Sequence, residues 1–226
     1  MVSNGRDRAV WGAGVILCLA SAAAYILWAY PRMPEQVPVH WGPSGAVDAW
    51  GPKSSTIWLA FLPLGIVLLF LALPHLDPKG RSFGDFKGVY QGLGLGTAAF
   101  MALAGWMTPL TVFGVLPDGG GSLVTTLVFA GVGVLMIALG ACMPRIAPNY
   151  TFGIRLPWTL ADEGNWRRTH RFAGPVYMAC GFAALACALL AGIAPDVAVW
   201  VVTALVLGAT PVVAAYSWLL WRGTIR

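Results

Sequence analysis

Charge is scarce in this 226-residue chain, with Asp, Glu, Lys and Arg together making up 10% of it, against about 25% in soluble domains. A single water-soluble domain is excluded, because too few polar side chains remain to cover its surface. Disorder is excluded as well, since 58% of the residues are hydrophobic and 12% aromatic, whereas disordered segments are poor in both. Acids are scarcer than cations, nine against fourteen, for a net charge of +5. That excess does not mark a nucleic-acid binder, because the basic residues sit in short segments between apolar runs and form no single patch. No CxxC pair occurs, and Cys18, Cys142, Cys180 and Cys187 lie in or beside apolar runs, where Cys behaves as a small hydrophobe. The class that remains is an integral membrane protein, in keeping with a mean hydropathy of +0.73.

A membrane helix needs about 20 mostly apolar residues. Six runs qualify, at 9–31, 54–76, 88–117, 119–144, 172–195 and 197–221, and none contains Asp, Glu, Lys or Arg. They predict an all-α polytopic bundle of six transmembrane helices forming a single membrane domain over 1–226. The run 88–117 has length enough for a re-entrant or tilted portion near Thr108 and Pro109. The first run stays apolar through Ile26, Leu27, Trp28 and Tyr30, beyond a signal peptide's core of about 7–15 residues, so it reads as a retained helix. With the N-terminus inside, the inner segments hold Arg6, Arg8, Lys79, Arg81, Lys87, Arg145, Arg155, Arg167, Arg168, Arg171, Arg222 and Arg226, and the outer ones only Arg32 and Lys53. That split predicts both termini on the cytoplasmic side. Gly92, Gly94, Gly96, Gly131 and Gly133 predict close helix packing. The GLGLG run lies in an apolar helix with no strand before it, which removes a dinucleotide reading.

Two connections are too particular to be simple turns. The outer loop 32–53 enters through Pro31, Pro34 and Pro38, which impose stiff, extended chain. A turn at Gly45 then brings His40, Asp48 and Lys53 within reach of one another. One reading is a binding site for a peptide or protein; another is a loop held by an Asp48–Lys53 pair, with Trp41 and Trp50 anchored at the membrane interface. A metal on His40 and Asp48 is a third reading, short of the usual three or four ligands.

The inner loop 143–171 begins irregular and Pro-rich, then starts a short interfacial helix, with Thr159 and Asp162 spaced as a capping box. Glu163 and Arg167 stand four apart on that helix and suit an ion pair. His170, Glu163 and Asp162 supply acid–base groups and Thr159 or Thr169 a hydroxyl, yet no nucleophile elbow, HExxH or paired-carboxylate signature accompanies them. His75, at the end of the second run, reads as an interfacial residue. Arg155 and Arg171 are expected to fold beneath the bundle and pair with Asp162 or Glu163, ordering the loop as a cap.

The stretch YPRMPEQVPVHWGPSGAVDAWGPK resembles a bacterial domain of unknown function marked by Pro, His, Gly, Asp and Lys at this spacing. The stretch NYTFGIRLPWTLADEGNWRRTHRFAG closely resembles the signature of the SdpI immunity-protein family. The resemblance implies a six-helix bacterial inner-membrane protein that protects its host against a secreted, membrane-active peptide toxin. It also implies a signalling role in which a cytoplasmic repressor is captured at the membrane. By position, His40, Gly45, Asp48 and Lys53 match the outer pattern. Asn149, Gly153, Arg155, Trp158, Thr159, Glu163, Trp166, Thr169, His170 and Arg171 match the inner one.

The expected partners are therefore membrane lipids, a peptide toxin outside and a repressor inside, with no direct nucleic-acid contact, no cofactor, no metal and no catalytic residue. A small-molecule transporter or channel is the alternative, weakened by the lack of charge within the runs and kept open by Pro109, Pro175 and Pro211. An intramembrane metalloenzyme is a third reading.

Overall fold

The structure is a computed structural model that describes residues 5–119 and 122–225. Arg226, counted above among the inward cations, lies outside the described residues. Helix α1 (Gly5–Ala24) runs on through a π turn at Tyr25–Ala29 and a 3-10 turn at Tyr30–Arg32. A hairpin of β1 (Gln36–Trp41) and β2 (Val47–Pro52) follows, then α2 (Ile57–Leu76), α3 (Lys87–Val112) and α4 (Ser122–Cys142). The short α5 (Pro157–Ala161) precedes α6 (Glu163–Leu190) and α7 (Pro195–Trp221). Among the described residues, six helical stretches are long and apolar enough to cross a membrane: Gly5–Arg32, Lys53–Leu76, Lys87–Val112, Leu123–Arg145, Glu163–Leu190 and Pro195–Trp221. Large apolar side chains such as Ile16, Leu69, Leu189 and Leu207 face outward, as expected where lipid is the solvent.

Two boundaries differ from the sequence reading for identifiable reasons. No re-entrant portion forms in 88–117: α3 stays helical through Pro109, and the run ends in a turn with Gly114 at φ +73°. The fifth spanning helix begins at Glu163 rather than near Phe172, because the Asp162 side chain accepts the Gly164 N–H at 2.6 Å and caps it. Thr159 is not the N-cap of α6 but the third residue of α5, whose start it caps. It accepts the Leu156 N–H at 2.9 Å and donates to the Ile154 carbonyl at 2.8 Å.

Packing is closest between α4 and α6, which run antiparallel. A Cβ added at Gly133 would lie 2.9 Å from the Gly181 carbonyl oxygen, and one at Gly140 would lie 2.5 Å from that of Gly174. Only hydrogen at these four positions lets the backbones touch, the device small residues serve in membranes. Gly94 and Gly131 instead receive the rings of Phe70 and Phe100, while Gly92 has nothing within 4 Å. Helices α1, α2 and α3 pack as one group and α4, α6 and α7 as another, joined along α3 and α4. The hairpin lies at one end of the bundle and the segment 143–162 at the other.

Candidate functional site

At the hairpin end, strands β1 and β2 pair antiparallel with Gln36 opposite Pro52, Pro38 opposite Trp50 and His40 opposite Ala49. The register slips on either side of His40, a bulge that re-aims side chains. Gly45, at φ +77°, makes the turn that returns the chain. His40 and Asp48 do meet, with Nδ1 and Oδ1 2.5 Å apart and both side chains exposed. Lys53 does not join them, and the Asp48–Lys53 pair does not form. The lysine instead pairs with Glu35 at 3.0 Å and donates to the Met33 carbonyl at 3.3 Å. The register explains the exchange, because setting Gln36 against Pro52 leaves Glu35 beside Lys53. Helix hydroxyls hold the hairpin down: Thr108 donates to the Pro38 carbonyl at 3.0 Å and Thr125 to that of Pro43 at 2.8 Å. Among the described residues no three His, Cys, Asp or Glu side chains gather as a metal site. Trp50 is exposed and Trp41 half-buried.

At the opposite end side chains meet many backbone groups of the loop, among them the N–H groups of Tyr150, Thr151, Phe152, Ile154 and Leu156. Asn149, buried, accepts the N–H groups of Thr151 at 3.0 Å and Phe152 at 2.6 Å, and donates to the Ala147 carbonyl at 2.9 Å. Gly153 has φ +108°, and a Cβ there would lie 2.6 Å from His170 Nε2. That left-handed conformation lets the Ile154 N–H reach His170 Nε2 at 3.0 Å. Since Nε2 accepts, the ring proton resides on Nδ1, which donates to the Trp166 carbonyl at 2.9 Å. The buried imidazole is thus neutral and stacks on Trp166 with centroids 4.1 Å apart. Trp166, fully buried, donates its Nε1–H to the Ile146 carbonyl at 2.8 Å.

A second set ties this cap to α7. Trp158 donates to Ser217 Oγ at 2.7 Å, Asn165 to the Ser217 carbonyl at 2.9 Å, and Thr169 to Asn165 Oδ1 at 3.0 Å. Asn149, Thr159, Trp166, Thr169 and His170, all buried, are therefore parts of one scaffold, joined by the half-buried Gly153. Arg155, Glu163 and Arg171 lie outside it, exposed to solvent. Arg155 donates to the Tyr150 carbonyl at 2.9 Å, and neither Arg155 nor Arg171 forms an ion pair with Asp162 or Glu163 among the described residues. Glu163 and Arg167 do not pair either. Asp162 is instead occupied in capping α6, and Asp77, Asn149, His170 and Thr159, all buried, accept the N–H groups of Tyr150, Thr151, Phe152, Ile154 and Leu156.

Asp77 and Phe152 matter here and escaped the sequence reading. Asp77 follows α2 in an Asp-Pro-Lys-Gly turn, where its Oδ1 accepts the Lys79 N–H at 2.7 Å. Its Oδ2 crosses to the loop and accepts the Tyr150 N–H and the Thr151 hydroxyl, both at 2.8 Å. Burial pushes the Asp77 carboxyl up, but these hydrogen bonds, the Thr151 hydroxyl foremost, outweigh it and hold the group below its ordinary value. Phe152 inserts among Phe70, Phe86 and Tyr90, with ring centroids 5.5 to 6.2 Å from its own. The Asp-Pro-x-Gly turn signal was present in the sequence; its partner 73 residues away was not. Beside Asp77 a polar groove of about 660 Å³ is lined by His75, Lys79, Asp85 and Glu163.

Residues 145–217 match the model of the SdpI/YfhL protein family, and residues 16–67 match a Domain of unknown function (DUF1648). The chain is 27% identical over 171 residues to the Immunity protein SdpI of Bacillus subtilis (strain 168), covering 74% of this chain and 75% of that one. No solved structure matches. The first family segment begins at the buried cap and ends at Ser217, the residue that ties the cap to α7. The second contains the whole hairpin.

Proposed function

We propose that this multi-pass membrane protein, with its SdpI/YfhL-family segment at 145–217 and its DUF1648 segment at 16–67, is an immunity protein. In this reading it protects a bacterial cell against a secreted, membrane-active peptide and acts by binding, without chemistry of its own. The observation that supports it is the division of polar side chains between the two ends. The His170 end buries the hydrogen-bonded side chains of Asn149, Thr159, Asn165, Trp166, Thr169 and His170, while the hairpin end presents His40, Asp48 and Trp50 outward. A rigid base carrying an exposed hairpin suits recognition. Among the described residues, no nucleophile is paired with a base beside either end.

The charge distribution supports an orientation with both termini in the cytoplasm and the hairpin outside the bacterial inner membrane. The hairpin would then meet the toxin first. On the inner side, Arg155, Arg167, Arg168 and Arg171 are exposed, and the groove lined by His75, Lys79, Asp85 and Glu163 adjoins the rigid cap. That surface is suited to docking a cytoplasmic repressor. Producing the protein in a toxin-sensitive strain and challenging it with supernatants from peptide-producing kin tests the reading. Survival should rise at least tenfold for one supernatant of the panel. Unchanged survival across the panel, with the protein shown to be in the membrane, overturns it.

A further inference from the structure

Helix α6 carries polar residues on two faces. Asn165, Trp166, Thr169 and His170 turn inward to the cap and are buried. Arg168 and Arg171, three apart and so neighbours on the helix surface, are exposed. Neither has a hydrogen bond or an ion pair among the described residues. They line a cleft of about 370 Å³ between α6 and α7, together with Phe172, Pro175, Val176 and Tyr216. The Phe172 and Tyr216 rings stack with centroids 4.0 Å apart and join the two helices there. Among the described residues no acid lines the cleft.

Three observations set this cleft at the level of lipid headgroups. Arg171 is the last charged residue before the charge-free run 172–195, so it stands where α6 enters the hydrocarbon. The Asn165 side chain reaches the Ser217 carbonyl at 2.9 Å, which brings this stretch of α6 beside the end of α7. There Trp218 and Trp221 are 43% and 52% exposed, and exposed tryptophans mark the headgroup level of a bilayer. Phosphate is the anion that a bilayer supplies at that depth.

We propose that this cleft binds an anionic diacyl phospholipid of the phosphatidylglycerol type, its phosphate held by the Arg168 and Arg171 guanidinium groups and one acyl chain lying along Pro175 and Val176. Guanidinium forks match phosphate oxygens in geometry and charge, and basic pockets between spanning helices take anionic headgroups. A zwitterionic lipid fits less well, since its ammonium meets no carboxylate in the cleft. An acidic protein segment also fits less well, because Pro175 and Val176 belong to a membrane-spanning helix and lipid already fills that depth. The inner surface suited to a repressor retains Arg155, Arg167 and the groove beside Asp77.

Native mass spectrometry of the full chain in detergent tests this, with phosphatidylglycerol and phosphatidylethanolamine of identical acyl chains as probes. The wild-type protein should hold one phosphatidylglycerol under activation that strips the rest. It should hold it about five- to thirtyfold better than phosphatidylethanolamine, the yield of one or two arginine contacts. An Arg168→Gln, Arg171→Gln protein should lose that preference. An Arg6→Gln, Arg145→Gln protein, which gives up two exposed cations elsewhere, should keep it. Equal retention of the two lipids by the wild-type protein overturns the proposal without recourse to any variant. So does an undiminished preference in the Arg168→Gln, Arg171→Gln protein. Millimolar glycerol phosphate or hexaglutamate should leave the lipid in place. Displacement by the first would make the cleft a site for soluble phosphates, and by the second a site for an acidic protein segment, and either result overturns the proposal.

Discussion

The two ends of the bundle use polar side chains in opposite ways. At the His170 end, Asn149, Thr159, Asn165, Trp166, Thr169 and His170 are all buried; Asn149, Thr159, Trp166 and His170 meet N–H and carbonyl groups of an irregular backbone, and Thr169 and Asn165 link α6 to Ser217. At the hairpin end, the strands satisfy one another, and among the described residues Thr108, Thr125 and the Asp118 carbonyl hold them from the helical side. The side chains of His40, Asp48 and Trp50 are left free to face outward. Most of the longer motif is therefore buried scaffold, with Arg155, Glu163 and Arg171 exposed at its rim, whereas His40, Asp48 and Trp50 of the shorter one face outward.

The comparison breaks most visibly if Trp166 is removed. Trp166→Ala should destabilise the protein by about 3–5 kcal/mol, as for other buried aromatic truncations, and lower its amount in the membrane. Thermal unfolding in detergent, followed by near-ultraviolet circular dichroism, measures it. A loss below about 1 kcal/mol would mean the cap is not the scaffold described.

Asp77 sharpens the comparison through pH. Its carboxyl is held below the ordinary 3.8, so the folded state favours the ionised form. The stabilisation is fully present above that ordinary value and is lost as pH falls through the lower folded value. Amide exchange at Tyr150, Thr151 and Phe152 should rise on acidification below pH ~4, more than exchange in the hairpin does. Asp77→Asn should raise exchange at the same amides at neutral pH, by about 1–3 kcal/mol in local stability, and flatten the acid dependence. An acid response equal in both ends would count against Asp77 as its source.

A smaller effect is expected above α3. Thr108→Val removes the hydroxyl that holds Pro38 and should cost about 1 kcal/mol, seen as faster exchange along 36–52 with residues 149–156 unchanged. Spread of the effect to both ends would show that the two are coupled. Smallest of all, Glu163→Ala should change stability by no more than about 0.5 kcal/mol, as for exposed side chains without a partner. This reverses the expectation drawn from sequence, in which Glu163 anchored the cap.

Apolar length and the distribution of charge made the six spanning helices legible, because hydrocarbon thickness leaves few alternatives. The contact between His40 and Asp48 was also legible, since Gly45 allows one tight return. Lys53 was misplaced because its partner depends on strand register, which no single residue announces. The arginine–carboxylate cap was misjudged for a related reason. Charge counts suggested ion pairs, whereas the demand of the irregular backbone for partners decided the fold of 146–156, met by Asn149, Asp77 and His170. Gly140, Gly174 and Gly181 carried no signal in the sequence that set them apart, and their purpose comes from the close approach of α4 and α6.

The most direct test of the division between scaffold and surface is toxin survival measured together with membrane abundance for a His40→Ala, Asp48→Ala double variant. The hairpin account predicts wild-type abundance, because both side chains are exposed and bond only to each other, with protection reduced at least tenfold. Full protection at normal abundance would contradict it and move the protective contact elsewhere on the molecule.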